Sequence, residues 1–419
     1  MNASHSDILI IGGGASGMMA ALTAAQQNLN VRILEQMTRV GKKLLVTGNS
    51  RCNLTNLSAN PVHYHGANDK FIAKVFQQCD VQKTLTVFQN LGLAWKADHE
   101  NRVYPVSEQA SSVLDLLRFA LSHHHVDICS SSKVDIVEYQ NHQFTVTLKN
   151  HQQFSANRVI LAAGGQTMKD LGSNGSGFIL ANKLGHQIIE PFPALVKIVT
   201  KSSYSKGLKG VKTDATVTLM SDKQTIQSCS GELLFTEDGL SGIPILKISR
   251  HIHDILKQKN NCSVQIDLLP TYSQEDLKTD LSHRFKKLEH LTAEQALLSI
   301  IKKRLIIPVL KTAEIAHHIP ASNLTETQID CLIYILKHWD FPVIGTKAWN
   351  EAQVTAGGVD TEEIDPATME SHLVPGLYFS GEIMNVDGDC GGYNLQWAWS
   401  TGFIAGNSAS DSLKSEVVH

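Results

Sequence analysis

Three glycines near the start of the chain are spaced for binding a phosphate group. Gly12, Gly14 and Gly17 form the pattern G-x-G-x-x-G directly after the apolar run 7–11. The first permits a tight turn, the second lets a pyrophosphate approach the backbone, and the third allows a helix to pack closely on a strand. Glu35 follows 18 residues after Gly17, close to the roughly 20 residues at which an acid binds a dinucleotide's ribose. The spacing predicts a dinucleotide site.

The elements that must position this motif are present around it. Residues 7–11 are typical of a parallel strand buried on both faces, residues 15–27 of an alanine-rich helix, and residues 31–34 of a second buried strand. The helix N-terminus offers free N–H groups and a partial positive charge to phosphates. A Rossmann-like fold is therefore predicted, with NAD and FAD both still open.

Two later segments favour FAD. Residues 158–168 are an apolar strand that runs into two alanines and two glycines. Residues 375–406 give a strand, then Gly381-Glu382, then Asp387-Gly388, then Gly391-Gly392-Tyr393-Asn394 and an apolar helix. We expect Asp387 to bind the ribityl hydroxyls and the helix N-terminus at 391–396 to face the pyrimidine end of the flavin, where reduction builds negative charge.

The segment 44–56, LLVTGNSRCNLTN, follows the Glu35 strand and is expected to pass along the cofactor. Lys43, Thr47, Asn49 and Arg51 could meet phosphate or flavin edges. Cys52 has no cysteine partner nearby, which excludes a disulfide or zinc site there. Arg51 is expected to lower the pKa of the Cys52 thiol, and a structural role in closing the loop is favoured over proton donation.

Several residues could supply a proton to a substrate. Cys52 and Cys390 carry thiols and Tyr393 carries a phenol, all able to act as general acids. His63 and His65 are also candidates, but we interpret them as part of a surface loop. The triplet His123–His125 is interpreted as a helix end rather than a metal site, and Trp397 and Trp399 as core residues.

Composition places few limits on function. The chain has 419 residues, is 42% hydrophobic and 18% charged, and carries a formal net charge of -3, as in an ordinary globular protein of two or three domains. Its seven cysteines lack a C-x-x-C pair, which favours a reduced compartment. No signal peptide and no apolar run of roughly 20 residues is apparent. A cytoplasmic location is expected.

The middle of the chain differs from both ends. Residues 192–270 show short alternating strands typical of a small β-barrel or sandwich, and residues 271–345 become helical, with Ser273 and Thr292 as expected N-caps. The predicted domains are 1–191 and 346–419, the two parts of the FAD-binding domain, with 192–270 and 271–345 inserted between them.

Five strings carry a family resemblance: IGGGASGMMAA, GKKLLVTGNSRCNLTN, GELLFTEDGLSGIPIL, AQVTAGGV and GLYFSGEIMNVDGDCGGYNLQWAWSTG. They resemble the BaiN/RdsA-type FAD-dependent oxidoreductases, a group that includes aminoacetone oxidase-like enzymes, and the matches run from residue 8 to about 406. The resemblance implies an α/β fold: a two-dinucleotide-fold, Rossmann-like FAD-binding domain with an inserted β-barrel domain and a small helical domain. Asn49-Ser50 and Cys390 depart from the family pattern, where a glycine pair and a small hydroxyl residue are common.

Motifs and resemblance together predict a set of FAD-binding residues. It comprises Gly12, Gly14, Ala15, Ser16, Gly17, Glu35, Lys43, Thr47, Gly48, Asn49, Arg51, Val134, Ala163, Gly164, Gly381, Glu382, Asp387, Gly392, Tyr393 and Asn394. The predicted catalytic residues are Cys52, Cys390 and Tyr393. No metal is predicted.

Basic residues are concentrated in the insert. Residues 192–345 hold 19 basic and 16 acidic residues, and the lysines stand in runs with no acid among them, which favours a polyanionic substrate such as ribosomal RNA. The residues concerned are Lys197, Lys201, Lys206, Lys209, Lys212, Lys302, Lys303 and Arg304.

Three activities are attached to the family: reduction of a uracil ring in ribosomal RNA, reduction of steroid-like enones, and oxidation of small amines. The basic insert favours the first, conversion of uridine to dihydrouridine in 23S rRNA. A small-molecule enone reductase or amine oxidase is the alternative, and a non-catalytic flavin-binding protein a further one. With a single G-x-G-x-x-G, no separate NAD domain is apparent, so NADPH or NADH is expected to bind only transiently as electron donor.

Overall fold

A computed structural model describes residues 4–201 and 204–417. Its helices are α1 (Ala15–Ala25), α2 (Asp69–Gln78), α3 (Val81–Asn90), α4 (Ala110–His123), α5 (Ser176–Lys183), α6 (Ser205–Leu208), α7 (Ile243–Lys257), α8 (Gln274–Lys287), α9 (Ala293–Ala296), α10 (Lys303–Thr312), α11 (Glu326–Lys337) and α12 (Tyr393–Val417).

Its strands are β1 (Ser4–Ile11), β2 (Val31–Leu34), β3 (Thr55–Asn56), β4 (Tyr64–His65), β5 (Trp95–Ala97), β6 (Arg102–Pro105), β7 (Asp127–Cys129), β8 (Val134–Gln140), β9 (Gln143–Leu148), β10 (Gln153–Leu161), β11 (Ile188–Ala194), β12 (Ile198–Thr200), β13 (Lys212–Ser221), β14 (Gln224–Phe235), β15 (Gly239–Gly242), β16 (Cys262–Asp267), β17 (Trp339–Thr346), β18 (Val354–Val359), β19 (Leu377–Phe379) and β20 (Asp387–Gly388). The chain divides into two compact units, one formed by residues up to Phe192 and from Gln353 onward, the other by Pro193–Ala352.

The main sheet of the first unit positions the predicted site. Its strand order is β7-β2-β1-β10-β9-β8, and β19 pairs with β10. β1 runs parallel to β2 and β10, so that Ile11 lies opposite both Leu34 and Leu161, and Leu161 in turn lies opposite Phe379 of β19. The carboxyl ends of these strands therefore share one edge, which is where ligands bind in parallel α/β sheets.

The helices α1 and α12 approach each other so closely that their backbones are in contact. A Cβ atom added at Gly402 would lie 2.4 Å from the Ser16 carbonyl oxygen, and one at Gly406 would lie 2.4 Å from that of Ala20. Only glycine fits at these two positions of α12. The alanine-rich composition of α1 thus serves close packing as well as helix formation.

The second unit contains a closed barrel with the strand order β12-β15-β14-β13-β16-β17. Alternation along the strands directs side chains such as Val217 and Leu219 of β13 into its core. The apolar faces of α8 to α11 belong to the same core cluster, with Leu281 and Phe285 almost fully buried. The fold class predicted from the sequence, including the barrel and the helical segment, is confirmed.

Two segments of the insert differ from the sequence-based boundaries. β17 begins at Trp339, inside 271–345, the range assigned to helices, and completes the barrel by pairing with β16 and β12. Pro342 interrupts its sequence pattern, because proline is normally confined to edge strands, to the first residue of a strand or to bulges. The helix α7 lies within 192–270, the range assigned to strands. Ser273 and Thr292 do cap α8 and α9, as predicted.

None of the helices within the described ranges is long and apolar enough to span a membrane.

A buried histidine links two segments of the first unit. His186 is fully buried; its Nδ1 lies 3.0 Å from Glu363 Oε2 and its Nε2 lies 2.8 Å from Ser371 Oγ. Burial lowers the pKa of this imidazole, despite the opposing effect of Glu363. The unfolded chain therefore takes up the proton more readily, and stability is lost as the pH falls below 6.5, the ordinary His value.

We predict that His186→Ala lowers the free energy of unfolding by roughly 2 kcal/mol at pH 7.5, because Glu363 and Ser371 lose a buried partner. The difference from wild type should shrink between pH 7 and pH 5, since the variant lacks the titrating group. Urea unfolding at each pH measures both effects. His99→Ala, at an exposed position, is the control; an equal loss in that variant, or a pH-independent difference for His186→Ala, would contradict the prediction.

Candidate functional site

The glycine turn after β1 is too crowded for side chains. Gly12 has φ +109°, and a Cβ atom there would lie 2.4 Å from the Ala162 carbonyl oxygen. A Cβ atom on Gly17 would lie 2.0 Å from the Gly12 carbonyl oxygen. The turn therefore brings the backbone of α1 and the backbone at the carboxyl end of β10 into direct contact, as the motif predicts.

The N-terminus of α1 is open to a ligand. Gly14 is the N-cap residue and no side chain caps the helix. The first helical hydrogen bond runs from the Met18 N–H to the Gly14 carbonyl, so the N–H groups of residues 15–17 have no partner within the helix. No acidic residue occupies the first turn. This terminus can therefore accept phosphate oxygens.

Glu35 lies beside this terminus. Its carboxylate accepts hydrogen bonds from the N–H groups of Gly13 (2.8 Å) and Met37 (2.7 Å). Burial raises its pKa, and these hydrogen bonds oppose the shift. Ser132 N–H donates to the Glu35 carbonyl, which brings Val134, two residues further on, to the same end of the site.

Lys43 and Glu382, predicted separately as cofactor residues, meet in the structure. The Lys43 ammonium lies 2.6 Å from Glu382 Oε2 and 2.9 Å from Thr167 Oγ1. Glu382 Oε1 also accepts from the Thr355 N–H at 2.9 Å. Glu382 follows β19 and Thr167 follows β10, so the cluster stands at the same edge of the sheet as Gly12.

The loop after Lys43 has an unusual backbone. Asn49 and Ser50, which stand where related sequences often have a glycine pair, have φ values of 55° and 65°. Glycine adopts this region most readily, which accounts for the family preference. Arg51 donates from Nε to the Gly48 carbonyl at 3.3 Å and its guanidinium lies 4.6 Å from the centre of the Tyr104 ring.

Cys52 is fully buried in the core. Burial raises the pKa of its thiol to about 12, with a smaller opposing effect of Thr47. The prediction that Arg51 lowers this pKa is wrong, because desolvation dominates and the guanidinium lies against Tyr104 instead. The Cys52 N–H donates to the Thr47 carbonyl. These contacts support loop closure rather than proton donation.

The N-terminus of α12 forms a second glycine cradle. Gly391 and Gly392 have φ values of 124° and 102°, and a Cβ atom on Gly392 would lie 2.5 Å from the Thr55 carbonyl oxygen. The Asn394 side chain donates to the carbonyl and accepts from the N–H of Gly388 at 2.8 Å each. Asn53 Oδ1 is buried beside Gly392, without a hydrogen-bond partner among the described residues.

These features fit a bound FAD. One uncapped helix terminus suits the pyrophosphate and the neighbouring Glu35 suits a ribose. The glycine cradle at α12, with the buried acceptor Asn53 Oδ1 beside it, suits the polar edge of a flavin ring. All of these residues belong to one compact unit.

Tyr393 opens α12 and is largely buried. Burial, assisted by Asp389 and Cys390, raises the pKa of its phenol, which therefore stays protonated near neutral pH. Its carbonyl accepts a hydrogen bond from the Tyr64 hydroxyl at 2.9 Å. Cys390, half-buried, lies near enough to affect the pKa of both Tyr393 and Tyr104.

His63 and His65 do not form a plain surface loop, so that interpretation is corrected. His63 Nδ1 lies 3.0 Å from Asp389 Oδ2, and His65 Nε2 lies 3.1 Å from Asp389 Oδ1. Their side chains are only 29% and 30% exposed. β4 and β20 pair, with His65 opposite Asp387, which aligns the two imidazoles with the carboxylate.

A sequence signal for this cluster exists. His63 and His65 are two positions apart, as are Asp387 and Asp389. Only Tyr64–His65 and Asp387–Gly388 form strands, however, and His63 ends a short 3-10 turn directly before β4. What the sequence lacks is any sign that these two short strands pair, because more than 300 residues separate them and each contributes only two residues.

The two tryptophans and the histidine triplet lie where the sequence placed them. Trp397 and Trp399 are 2% and 0% exposed, as core residues should be. His123 ends α4. Over residues 4–201 and 204–417, no cluster of three potential metal ligands is found.

The basic residues of the insert are less available than their sequence suggests. Lys197, Lys209 and Lys212 each pair with a glutamate at 2.7–3.0 Å, and Arg304 donates to the carbonyls of Gly207 and Lys209. The glutamates come from other parts of the sequence. Lysines in a stretch without acidic residues can therefore still contact acidic side chains in the folded structure. Lys201, Lys206, Lys302 and Lys303 are exposed.

The family model described as the HI0933-like protein Rossmann domain matches residues 6–408. The chain belongs to this family. The resemblance predicted from the sequence strings is thereby confirmed, and the protein is an FAD-dependent oxidoreductase.

Among curated proteins, the chain is similar to the 3-dehydro-bile acid delta(4,6)-reductase of Clostridium scindens, with 40% identity over 96% of this chain and 98% of that protein. It is also similar to the ribosomal RNA dihydrouridine synthases of Haemophilus influenzae and Escherichia coli. The first is 29% identical over 97% of this chain and 99% of that protein, and the second 30% identical over 94% and 96%.

Among solved structures, the fold resembles a 3-ketosteroid delta1-dehydrogenase from Sterolibacterium denitrificans. The TM-score is 0.52 at 12% identity, covering 98% of this chain and 100% of that one. A quinol-fumarate reductase gives a TM-score of 0.51 at 16% identity, covering 99% of this chain and 72% of that one. At these identities the likeness concerns the fold.

We predict that Gly14→Ala weakens FAD binding at least about tenfold, because a methyl group would obstruct the approach of the pyrophosphate. Nothing in the protein lies within 4 Å of the added Cβ atom, so the FAD-free variant should unfold at the wild-type temperature. Titration of FAD into the deflavinated protein measures the affinity. Gly345→Ala, whose Cβ atom is equally unobstructed, is the matched control. Wild-type affinity in Gly14→Ala would contradict this assignment.

Cys52→Ala should keep its FAD, and its turnover should stay within about threefold of wild type, because a buried thiol with a high pKa is a poor acid. Flavin absorbance and steady-state turnover report the two quantities. A fall of a hundredfold in turnover with full FAD content would instead make Cys52 a proton donor.

Proposed function

We propose that the protein reduces a carbon–carbon double bond conjugated to a carbonyl group, and that its first candidate substrate is a uridine of 23S ribosomal RNA. The observation that carries the proposal is the start of α12. There the glycine cradle for the flavin and the acid–base groups Tyr393, His63 and Asp389 stand together. A reductase of this type needs a hydride source and a proton source side by side.

Each part of the site has a defined task in this scheme. When bound, FAD supplies hydride chemistry. The N-terminus of α1 holds the phosphates, and Glu35 holds the ribose. The N-terminus of α12 favours negative charge nearby. The neutral phenol of Tyr393 can donate a hydrogen bond to the substrate carbonyl, which stabilises the enolate that forms as the double bond is reduced.

Two observations support RNA. Two of the relatives are ribosomal RNA dihydrouridine synthases, and the double bond of uracil is conjugated to a carbonyl. Arg304 also bonds the segment 207–209, which brings the exposed Lys302 and Lys303 close to Lys206. A group of exposed lysines favours a polyanion. An RNA substrate would place the protein in the cytoplasm.

A steroid-like dienone is the second candidate, favoured by the 40% identity to the bile acid reductase. Its reactive group is the same conjugated carbonyl, so the same residues would serve. Amine oxidation receives no such support from these relatives. NADPH or NADH is the proposed electron donor, bound transiently, since the sequence has a single dinucleotide motif.

The test is anaerobic reoxidation of the reduced enzyme, monitored by flavin absorbance. We expect a 23S rRNA fragment to reoxidise the flavin, with a gain of two daltons on a single uridine. The same fragment with cytidine at that position is the control. Reoxidation by a 3-oxo-4,6-diene steroid alone would establish the second candidate. If neither acceptor reacts while oxygen and aminoacetone yield peroxide, the proposed reduction is wrong.

A further inference from the structure

The structure assigns His63 as the general acid that delivers the proton to the reduced double bond, with Asp389 as its positioning residue. This inference rests on the proposed function and adds the proton donor to it. From the sequence alone, His63 is interpreted as part of a surface loop. Its role as a general acid follows from three contacts in the structure.

The first contact fixes the ring. His63 Nδ1 lies 3.0 Å from Asp389 Oδ2, and no hydrogen-bond partner of Nε2 is found among the described residues. A histidine that holds a carboxylate through one nitrogen and presents the other is the usual arrangement of a catalytic acid or base. The carboxylate fixes the orientation and the tautomer of the ring.

The second contact fixes the carboxylate. His65 Nε2 lies 3.1 Å from Asp389 Oδ1, and the Asp389 N–H donates to the His63 carbonyl at 3.0 Å. Burial acts to raise the Asp389 pKa, but the hydrogen bonds with His65 and His63 outweigh it, and the net shift is downward. Asp389 therefore stays ionised and can hold a protonated His63.

The third contact places the ring at the flavin cradle. The His63 ring centre lies 4.5 Å from that of Tyr393, with the planes 32° apart. Tyr393 begins α12, directly after Gly392, and Tyr64 anchors its carbonyl. His63 is 29% exposed on its side chain, enough to exchange protons with water. Asp389 and Tyr393 contact the His63 ring, and His65 shares the Asp389 carboxylate.

The reduction adds one hydride and one proton to the substrate. The β-carbon of the substrate accepts a hydride, and the electron pair of the double bond moves onto the conjugated carbonyl as an enolate. The α-carbon then takes the proton from Nε2 of His63, which closes the C–H bond and leaves a neutral imidazole. Solvent reprotonates the ring, and NAD(P)H restores the hydride.

The test compares His63→Ala with His65→Ala, which removes the other imidazole from the same carboxylate. Both are reduced anaerobically and mixed with whichever acceptor, the 23S rRNA fragment or the steroid dienone, reoxidises wild type. We expect His63→Ala to slow reoxidation at least about a hundredfold and added imidazole to restore at least a tenfold gain. His65→Ala should be slowed less and should not respond to imidazole.

FAD content and the flavin spectrum of each variant show that the cradle is intact. If His63→Ala loses its FAD, His63→Gln, which retains a group able to bond Asp389, replaces it and should be equally slow. Rates within threefold of wild type, or imidazole rescue of His65→Ala and not of His63→Ala, overturn the assignment. A wild type that reduces neither acceptor refutes the proposed function, and the role of His63 with it.

Discussion

The close approach of α1 and α12 is the constraint on which the site depends. Gly402 and Gly406 place the backbone of α12 against the carbonyls of Ser16 and Ala20, where any side chain would force the helices apart. The approach also lets Gly381 lie beside Ser16, where an added Cβ atom would meet the Ser16 Oγ at 2.5 Å. Residues almost 400 positions apart therefore become neighbours.

The contact brings two helix N-termini into one unit, and each suits one end of FAD. The terminus of α1 is uncapped and can accept phosphate oxygens, while α12 begins at Tyr393, directly after Gly392. The unit formed by Pro193–Ala352 has a hydrophobic core cluster of its own.

Features that depend on residues close together in the chain can be predicted from the sequence. The glycine motif, Glu35, the capped helices and the buried tryptophans follow from patterns within about 20 residues. The pairing of Asp389 with His63 and His65 does not, because it depends on two short strands far apart in the chain. β17 is missed for a local reason, because its proline hides the alternation. The ion pairs of Lys197, Lys209 and Lys212 are missed because their glutamate partners lie elsewhere in the sequence.

The most direct measurement is a crystal structure of the protein bound to FAD. We expect the pyrophosphate at the N–H groups of residues 15–17, the adenosine ribose at Glu35, and the flavin ring against residues 391–394 with its reactive face open towards His63. A flavin ring bound away from the start of α12, or a pyrophosphate away from α1, would contradict it.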